Sequence, residues 1–397
     1  MYIIAKKLGI KKNLHNSGNS CTFARRNHCE KFRNEKSRNH NYLNMNPFKF
    51  GTIVESEYFT DRIEETETLI NRLDSENHIV LISPRRYGKS SLVKKVLTQV
   101  QRPSITINMQ QVLSVQHLAE LLLREIFSIY PLEKIRHQLA HFRFIPTLST
   151  NALMGTLDVS FQPQVKAETA LEDAMLLLEK VSTPEKRLVV VLDEFQEVLQ
   201  IQKGLDKQLR AIMQTQKGLN YIFLGSQESM MTDIFEKKKS PFYHFGQLMH
   251  LKRIPETDFR AYIAERLPNY VDNSPMVDAI LTFTRCHPYY TQQLSAQVWE
   301  LMAYPRITKD VVEIAISKLV QEHDLDYERL WNAQNRTDRG ILRQLAFGQN
   351  PMTSRIDPSS TTYSGLKRML KAGLLIKESG YTIEDPFFTR WLRSYLS

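Results

Sequence analysis

The stretch Ser83-Pro84-Arg85-Arg86-Tyr87-Gly88-Lys89-Ser90-Ser91 decides the fold. Ahead of it runs a short apolar segment, His78-Ile79-Val80-Leu81-Ile82. Behind it, residues 90–100 carry Leu92, Val93, Val96, Leu97 and Val100 at helical spacing. Strand, tight loop, Gly-Lys-Ser and helix, in that order, is the layout of a phosphate-binding loop. Successive backbone N–H groups and the amino end of the helix then form an anion cradle. Lys89 is expected to reach β- and γ-phosphates, and the Ser90 hydroxyl to ligate Mg²⁺. One letter departs from the pattern G-x-x-x-x-G-K-[ST]: Ser83 stands where glycine is usual, a residue suited to positive φ or close approach to phosphate. The plainer reading, a lysine opening an ordinary helix after a turn, is disfavoured by the strand and helix on either side.

A second run reads with it. Arg187-Leu188-Val189-Val190-Val191-Leu192-Asp193-Glu194-Phe195-Gln196-Glu197 places five apolar residues ahead of two acids, the pattern of a buried parallel strand ending in carboxylates. In open α/β sheets, functional groups gather at the carboxyl ends of strands. Asp193 is expected beside the phosphate loop, holding Mg²⁺ through water, and Glu194 is expected to orient and polarise an attacking water. Standing alone, the pair also reads as a solvated strand end; the upstream loop is what turns it toward catalysis. A further strand, Tyr221-Ile222-Phe223-Leu224, ends at Gly225-Ser226-Gln227. Ser226 is the candidate for contact with a γ-phosphate or the lytic water, with Gln227 close behind. The alternative is a turn residue capping the next helix.

The 397 residues are 42% hydrophobic, 24% charged and 10% aromatic, ordinary for a globular chain of two or three domains and too aromatic for wholesale disorder. No run of about 18 apolar residues occurs, so neither a transmembrane helix nor a membrane partner is expected. Cys21, Cys29 and Cys286 supply neither a disulfide framework nor zinc spacing, which points to a reducing, cytoplasmic setting. The net charge of +10 invites a nucleic-acid reading, but it is concentrated: residues 1–44 hold ten lysines and arginines against Glu30 and Glu35, leaving about +2 on the rest. This tail, rich in Asn and Ser, runs up to Met45-Asn46-Pro47-Phe48. It reads as a disordered basic arm, a transit-type peptide, or sequence upstream of a start at Met45. The last is favoured because folded-type sequence begins immediately after Met45.

Taken in order, residues 1–45 form the tail and 46–254 an α/β core. The core opens with Phe59-Thr60-Asp61-Arg62 and a helix through Ile63, Leu69, Ile70 and Leu73, which Asp61 is expected to cap. A second strand, 104–108, precedes a helix carrying Leu118, Leu121, Leu122, Ile126 and Ile129. Residues 156–161 alternate like a hairpin arm, helices are expected near 167–180 and 203–216, and a last strand at 247–251. From Pro255 the strands stop, and helices near 256–267, 275–285, 288–301, 308–322 and 324–332 predict a helical lid over 255–333. Residues 334–397 read as helix 338–347, helix 363–372, two short strands round Ser379-Gly380, and a closing helix from Pro386, the pattern of a winged helix.

These motifs together resemble the prokaryotic AAA-type ATPases of the STAND superfamily, the archaeal-ATPase-like group. Ser83 to Leu92 is similar to that group's arginine-pair phosphate loop, Leu192 to Gln196 to its Walker B strand, and Leu224-Gly225-Ser226 to its sensor 1. Cys286-His287-Pro288-Tyr289-Tyr290 is similar to its sensor 2 region, where Gly-His-Pro is typical. Phe59-Thr60-Asp61-Arg62 looks like its N-terminal element near adenine. The resemblance runs from about Asn46 to the end. It implies an α/β P-loop NTPase core of the ASCE, AAA type followed by a helical lid and a winged helix, with ATP and Mg²⁺ as cofactors, Arg62 beside the base and His287 as a γ-phosphate sensor. His287 also reads as a plain helix-start residue before Pro288. Where relatives often place a trans-acting arginine, this chain has His244 and Phe245. An arginine finger is worth roughly 10³ to 10⁵ in rate in well-known GTPases, so slow hydrolysis is expected, suiting a switch better than a motor.

Three functions compete. The first is a switch ATPase in which nucleotide state moves the lid and winged helix, with a nucleotide-dependent homo-oligomer open. The second is a protein- or DNA-binding module with a structural nucleotide, whose winged helix would meet DNA through Lys367, Arg368 and Lys371; near-neutral folded sequence favours a protein partner. The third, a small-molecule kinase, fits the adjacent Asp193-Glu194 pair less well than water activation does.

Overall fold

Each central strand is a continuous apolar run, which buries both faces and selects parallel pairing. The computed structural model describes residues 45–397 apart from 55, 140–141, 144–145, 152–155, 163–165, 269–271, 303–309 and 354–357. The basic tail and the start of the helix expected at 308 lie outside the described residues. The core runs α1 (Ile63–Asp74), β1 (Ile79–Ile82), α2 (Lys89–Val100), β2 (Ser104–Asn108), α3 (Val115–Ile129), α4 (Leu132–Leu139), β3 (Thr147–Asn151), β4 (Thr156–Ser160), α5 (Ala167–Val181), β5 (Leu188–Asp193), α6 (Val198–Ile201), α7 (Leu205–Met213), β6 (Leu219–Gly225), α8 (Glu228–Phe235) and β7 (Gln247–His250). Five parallel strands form one sheet in the order β2-β5-β6-β1-β7. Strand β6 therefore stands between β1, which leads into the phosphate loop, and β5, which ends at Asp193. Strands β3 and β4 form a separate antiparallel hairpin with Leu148 opposite Val159, the arm expected at 156–161.

Alternation along the strands builds two cores. Ile79, Leu81, Val189, Val191, Ile222 and Leu224 pack with Leu69, Leu73, Leu92 and Val96 of α1 and α2. Val80, Ile82, Val190, Leu192, Tyr221 and Phe223 face α3, α5 and α7 on the other side. There Phe195, Phe223, Phe235 and Phe242 form an edge-to-face cluster with centroids 4.7 to 5.8 Å apart, a geometry favoured by the ring quadrupole.

Beyond β7 come α9 (Glu256–Arg266), α10 (Ser274–Thr284), α11 (Pro288–Met302), α12 (Val311–Glu322) and α13 (Asp324–Asn332). The chain closes with α14 (Arg336–Ala346), α15 (Ser359–Lys371), β8 (Leu375–Lys377), β9 (Tyr381–Ile383) and α16 (Pro386–Leu396). One apolar cluster runs through all of this, from Phe48 and Ile254 to Trp391 and Leu392, so packing is continuous across residue 333.

Several local expectations are corrected. Asp61 does not cap α1: Arg62 holds the cap position in the left-handed region without a side-chain cap bond, and Asp61 is itself left-handed. The helix expected over 203–216 is shorter, Leu205–Met213, with left-handed Gly204 (φ 89°) at its cap. Helix α15 begins at Ser359, four residues before the expected Tyr363; the polar Ser-Ser-Thr-Thr run carried no apolar signal to mark its first turn.

Candidate functional site

The loop after β1 winds into α2 through left-handed Arg86 (φ 65°) and Gly88 (φ 85°), the latter at the helix cap. Only glycine takes such a φ without strain. Lys89 is buried, and its ammonium folds back on the loop, donating to Ser83 O (2.9 Å), Ser83 Oγ (3.2 Å) and Pro84 O (3.0 Å). Burial pulls its pKa below the usual lysine value, against the pull of Glu194 and Asp193. The departing letter is now explained. Ser83 is absent from the left-handed residues, so glycine's freedom is not needed, and its hydroxyl instead accepts from Lys89. Its backbone N–H donates to Gly225 O across the β6 end at 3.3 Å.

Parallel pairing brings the acids to this loop. Ile82 lies beside Gly225, and Asn108 beside Asp193. The Ser90 hydroxyl donates to Asp193 Oδ2 at 3.1 Å. Among the described residues no group of three or more His, Cys, Asp or Glu could hold a metal. Ser90 and Asp193 fit a Mg²⁺ that takes its remaining oxygens from phosphates and water. Burial, then the neighbouring Glu194, raises the Asp193 pKa from its usual value.

Glu194 stands at a left-handed position (φ 53°) directly after β5. Its Oε2 accepts from Ser226 Oγ (2.6 Å), Ser226 N (3.3 Å) and Gln196 Nε2 (2.5 Å). The structure thus gives the Ser226 hydroxyl to the carboxylate expected to activate water. Gly225 makes room for this: a Cβ there would lie 2.3 Å from Met231 and 2.8 Å from Gln196 Oε1.

A cavity of about 530 Å³ opens over the loop, lined by residues 85–91 together with Asp193 and Glu194, within the range of small-ligand sites. Its far wall includes Phe59, Thr60 and Arg62 but extends well beyond them. Residues 49–54 run along it, tied to α2 by Val54 N donating to Ser91 Oγ at 3.0 Å. Phe50 meets Tyr289 edge-on at 5.7 Å, and Tyr262 Oη donates to Tyr58 O at 3.1 Å. The cluster of Phe48, Phe50, Tyr58 and Phe59 in a short polar stretch was the available signal; Tyr289 stood in the Cys286–Tyr290 run, and Gln292 gave none. Arg62 lines the cavity, and its guanidinium is engaged, with Nη1 donating to Glu65 Oε1 (2.6 Å) and Nη2 to Lys252 O (2.6 Å).

His287 does not line the cavity. Fully buried, it sits 4.8 Å from the Tyr87 ring, and its Nδ1 accepts from Tyr289 N and Tyr290 N at 3.2 and 3.4 Å. The ring proton therefore belongs on Nε2, which faces Glu384 Oε1 at 3.6 Å. This is the helix-start reading of His287. Arg86 turns away from the loop, stacking over Tyr289 (4.5 Å) and bonding Tyr290. A smaller cavity, about 340 Å³, lies between Pro84, Arg85, residues 226–229 and the C-terminal residues 370–373, 375–377 and 384.

Burial pushes the Glu384 carboxyl up to about 7, against the opposing pull of Arg86, Arg253, Lys89 and Arg85. The folded chain then binds an extra proton between pH 4.5 and about 7, so this group's contribution to stability falls as pH rises through that window. His287, pulled down to about 3 by burial and Arg253, has the opposite sign, losing stability as pH falls from 6.5. Comparison with Glu384→Gln isolates the first effect. The gain in stability of the variant over the native chain, read by chemical denaturation, should grow from pH 5 to pH 8 and reach the order of 2–3 kcal/mol.

Residues 72–230 match a family model described as an AAA domain. No curated protein matches the chain significantly. Among solved structures it is similar to a Walker-type ATPase of Pyrococcus abyssi, at 19% identity over 87% of this chain and 99% of that one, with a TM-score of 0.63. It is also similar to the ORC2 protein of Aeropyrum pernix in its ADP form, at 14% identity over 88% and 98%, with a TM-score of 0.50. At such identities the likeness concerns the fold. The matched domain contains the phosphate loop, Asp193, Glu194 and Ser226, and the sheet order sets β6 between the loop strand and the acid strand. The chain therefore carries an AAA-type P-loop ATPase domain.

Proposed function

We propose that the protein is a slowly hydrolysing ATP switch of the STAND kind, in which nucleotide state sets the position of the helices α9–α13, as a lid, and of α14–α16, as a winged helix. The observation that carries this reading is the placement of one loop between two cavities. Arg85 borders both the larger cavity and the smaller one that the C-terminal residues close. A change in phosphate contacts on one face of the loop is thereby felt on the other.

In this reading ATP lies in the larger cavity, its phosphates in the cradle of residues 83–91. Lys89 would exchange its loop carbonyls for phosphate oxygens, while Ser90 and Asp193 would hold Mg²⁺, which when bound neutralises phosphate charge. Glu194 would orient the attacking water once released from Ser226 and Gln196. Slow turnover is supported by that restraint and by His244, an exposed residue stacked on Tyr243 at 3.9 Å where relatives would carry an arginine. His287 acts in this scheme through packing on Tyr87, without touching phosphate. A protein partner at the C-terminal segment is preferred to DNA, since Arg368 is committed to Asp338 through two bonds of 2.7 and 2.9 Å.

The test is ATP hydrolysis by the full chain, with the solution mass and small-angle scattering recorded with ADP and with a non-hydrolysable ATP analogue. The reading expects turnover below about one per second, low on the scale for phosphoryl-transfer enzymes, and a change in radius of gyration between the two nucleotides. Identical scattering profiles at saturating nucleotide would count against a switch.

A further inference from the structure

Arg253 lies between β7 and α9, outside the phosphate loop, with a side chain only 15% exposed. Its guanidinium has partners in two separate parts of the chain. Nε donates to Glu378 Oε1 at 2.8 Å, at the turn between β8 and β9. Nη1 donates to Arg285 O at 2.8 Å and to Thr284 O at 3.4 Å, at the end of α10. Its chain neighbours tie it to the larger cavity. Lys252 O accepts from Arg62, and Ile254 lines the wall.

The α10–α11 turn that Arg253 holds is an unusual one. Arg285 and Cys286 are both left-handed, at φ 51° and 56°, a conformation that L-residues adopt at a cost and glycine adopts freely. Two residues later Pro288 starts α11, which carries Tyr289 and Gln292 into the cavity wall. The turn has no glycine to relax it. Thr284 O already accepts from His287 N within the turn at 3.1 Å; Arg253 adds a second donor there and supplies one to Arg285 O.

We propose that Arg253 is a positioning residue for the nucleotide cavity and the link through which occupation of the cavity reaches the β8–β9 hairpin; this rests on the reading of that cavity as an ATP site. The two arms differ in the number of bonds. The Glu378 carboxylate is half exposed, so water competes for that single bond, whereas two carbonyls hold the guanidinium to the turn, one of them, Thr284 O, in a half-buried contact. When the wall formed by Tyr289 and Gln292 closes on a ligand, the turn moves with α11, Arg253 follows its carbonyls, and Glu378 is released.

The experiment uses the full chain and four variants: R253A, R253K, E378Q and R253A combined with C286G. ADP affinity is read by calorimetry, and amide hydrogen exchange is followed in residues 284–292 and 375–383, with and without ADP. R253A should weaken ADP binding about tenfold and speed exchange at least fivefold in both segments. R253K, which keeps the charge but spans fewer partners, should fall between. E378Q should speed exchange in 375–383 alone and leave affinity within twofold. Adding C286G to R253A should restore affinity to within threefold of native by relaxing the turn, while the hairpin stays fast. In the native chain ADP should change exchange in 375–383, and in R253A it should not. Native affinity in R253A, unchanged exchange in 284–292 or an ADP response surviving in the R253A hairpin would each overturn the proposal. If the native chain binds no nucleotide, the ATP reading itself fails and the link falls with it; exchange in the nucleotide-free variants still decides whether Arg253 positions the turn.

Discussion

Replacing Lys89 with alanine is expected to abolish useful nucleotide binding, lowering affinity by roughly 10²- to 10³-fold, from several charge-assisted hydrogen bonds worth about 1.5–3 kcal/mol each. Without ligand, the ammonium spends its hydrogens on Ser83 O, Ser83 Oγ and Pro84 O. That arrangement costs little to exchange for phosphate oxygens, because the lysine is already desolvated and aimed along the loop. The alanine variant also strands two loop carbonyls, so its thermal transition must be recorded beside its binding isotherm. Near-native melting with absent binding assigns the loss to the phosphate contact. Native-like affinity would remove Lys89, and the cradle with it, from the site.

The second large effect concerns Glu194. Its exchange for glutamine should leave nucleotide affinity within a few-fold and reduce turnover by roughly 10²- to 10⁴-fold, the usual range for loss of a general base. Glutamine keeps the shape and can still accept from Ser226 through its amide oxygen, so the pocket is preserved while the charge that polarises water is lost. Single-turnover hydrolysis with matched binding measurements separates the two quantities. Turnover equal to the native chain would exclude Glu194 as the base and move attention to Asp193.

Contact by contact, legibility followed locality. The phosphate loop could be read because Gly88, Lys89 and Ser90 are contiguous and their chemistry demands a strand before and a helix after. Strand β5 was legible because five apolar residues followed by two acids match a buried parallel strand. Ser226 was found as a strand-end polar residue, yet its partner, Glu194, was not foreseen, because that pairing depends on β6 lying beside β5. Ser83 looked like a weak letter until its hydroxyl was seen to accept from Lys89. His287 looked like a phosphate sensor, but the packing of Tyr87 and Tyr290 around it leaves its Nε2 facing Glu384.

The Arg253 contacts had no signature at all. Arg253 stands in an unremarkable Leu-Lys-Arg-Ile run, and its partners lie 31, 32 and 125 positions further on. What this sequence determined by itself was the strands of the central sheet and the longer helices, the phosphate loop and the acids at the end of β5, since each is set by neighbouring residues and by hydrogen bonds the backbone must make; residues 131–165 were not legible beyond the arm at 156–161. Only the tertiary structure decided which side chains meet across the loop: Ser226 with Glu194, Arg86 with Tyr289, Arg253 with Glu378. The reason is that a charged or polar side chain takes whatever partner burial leaves within reach, and that choice is made by packing between segments far apart in the chain.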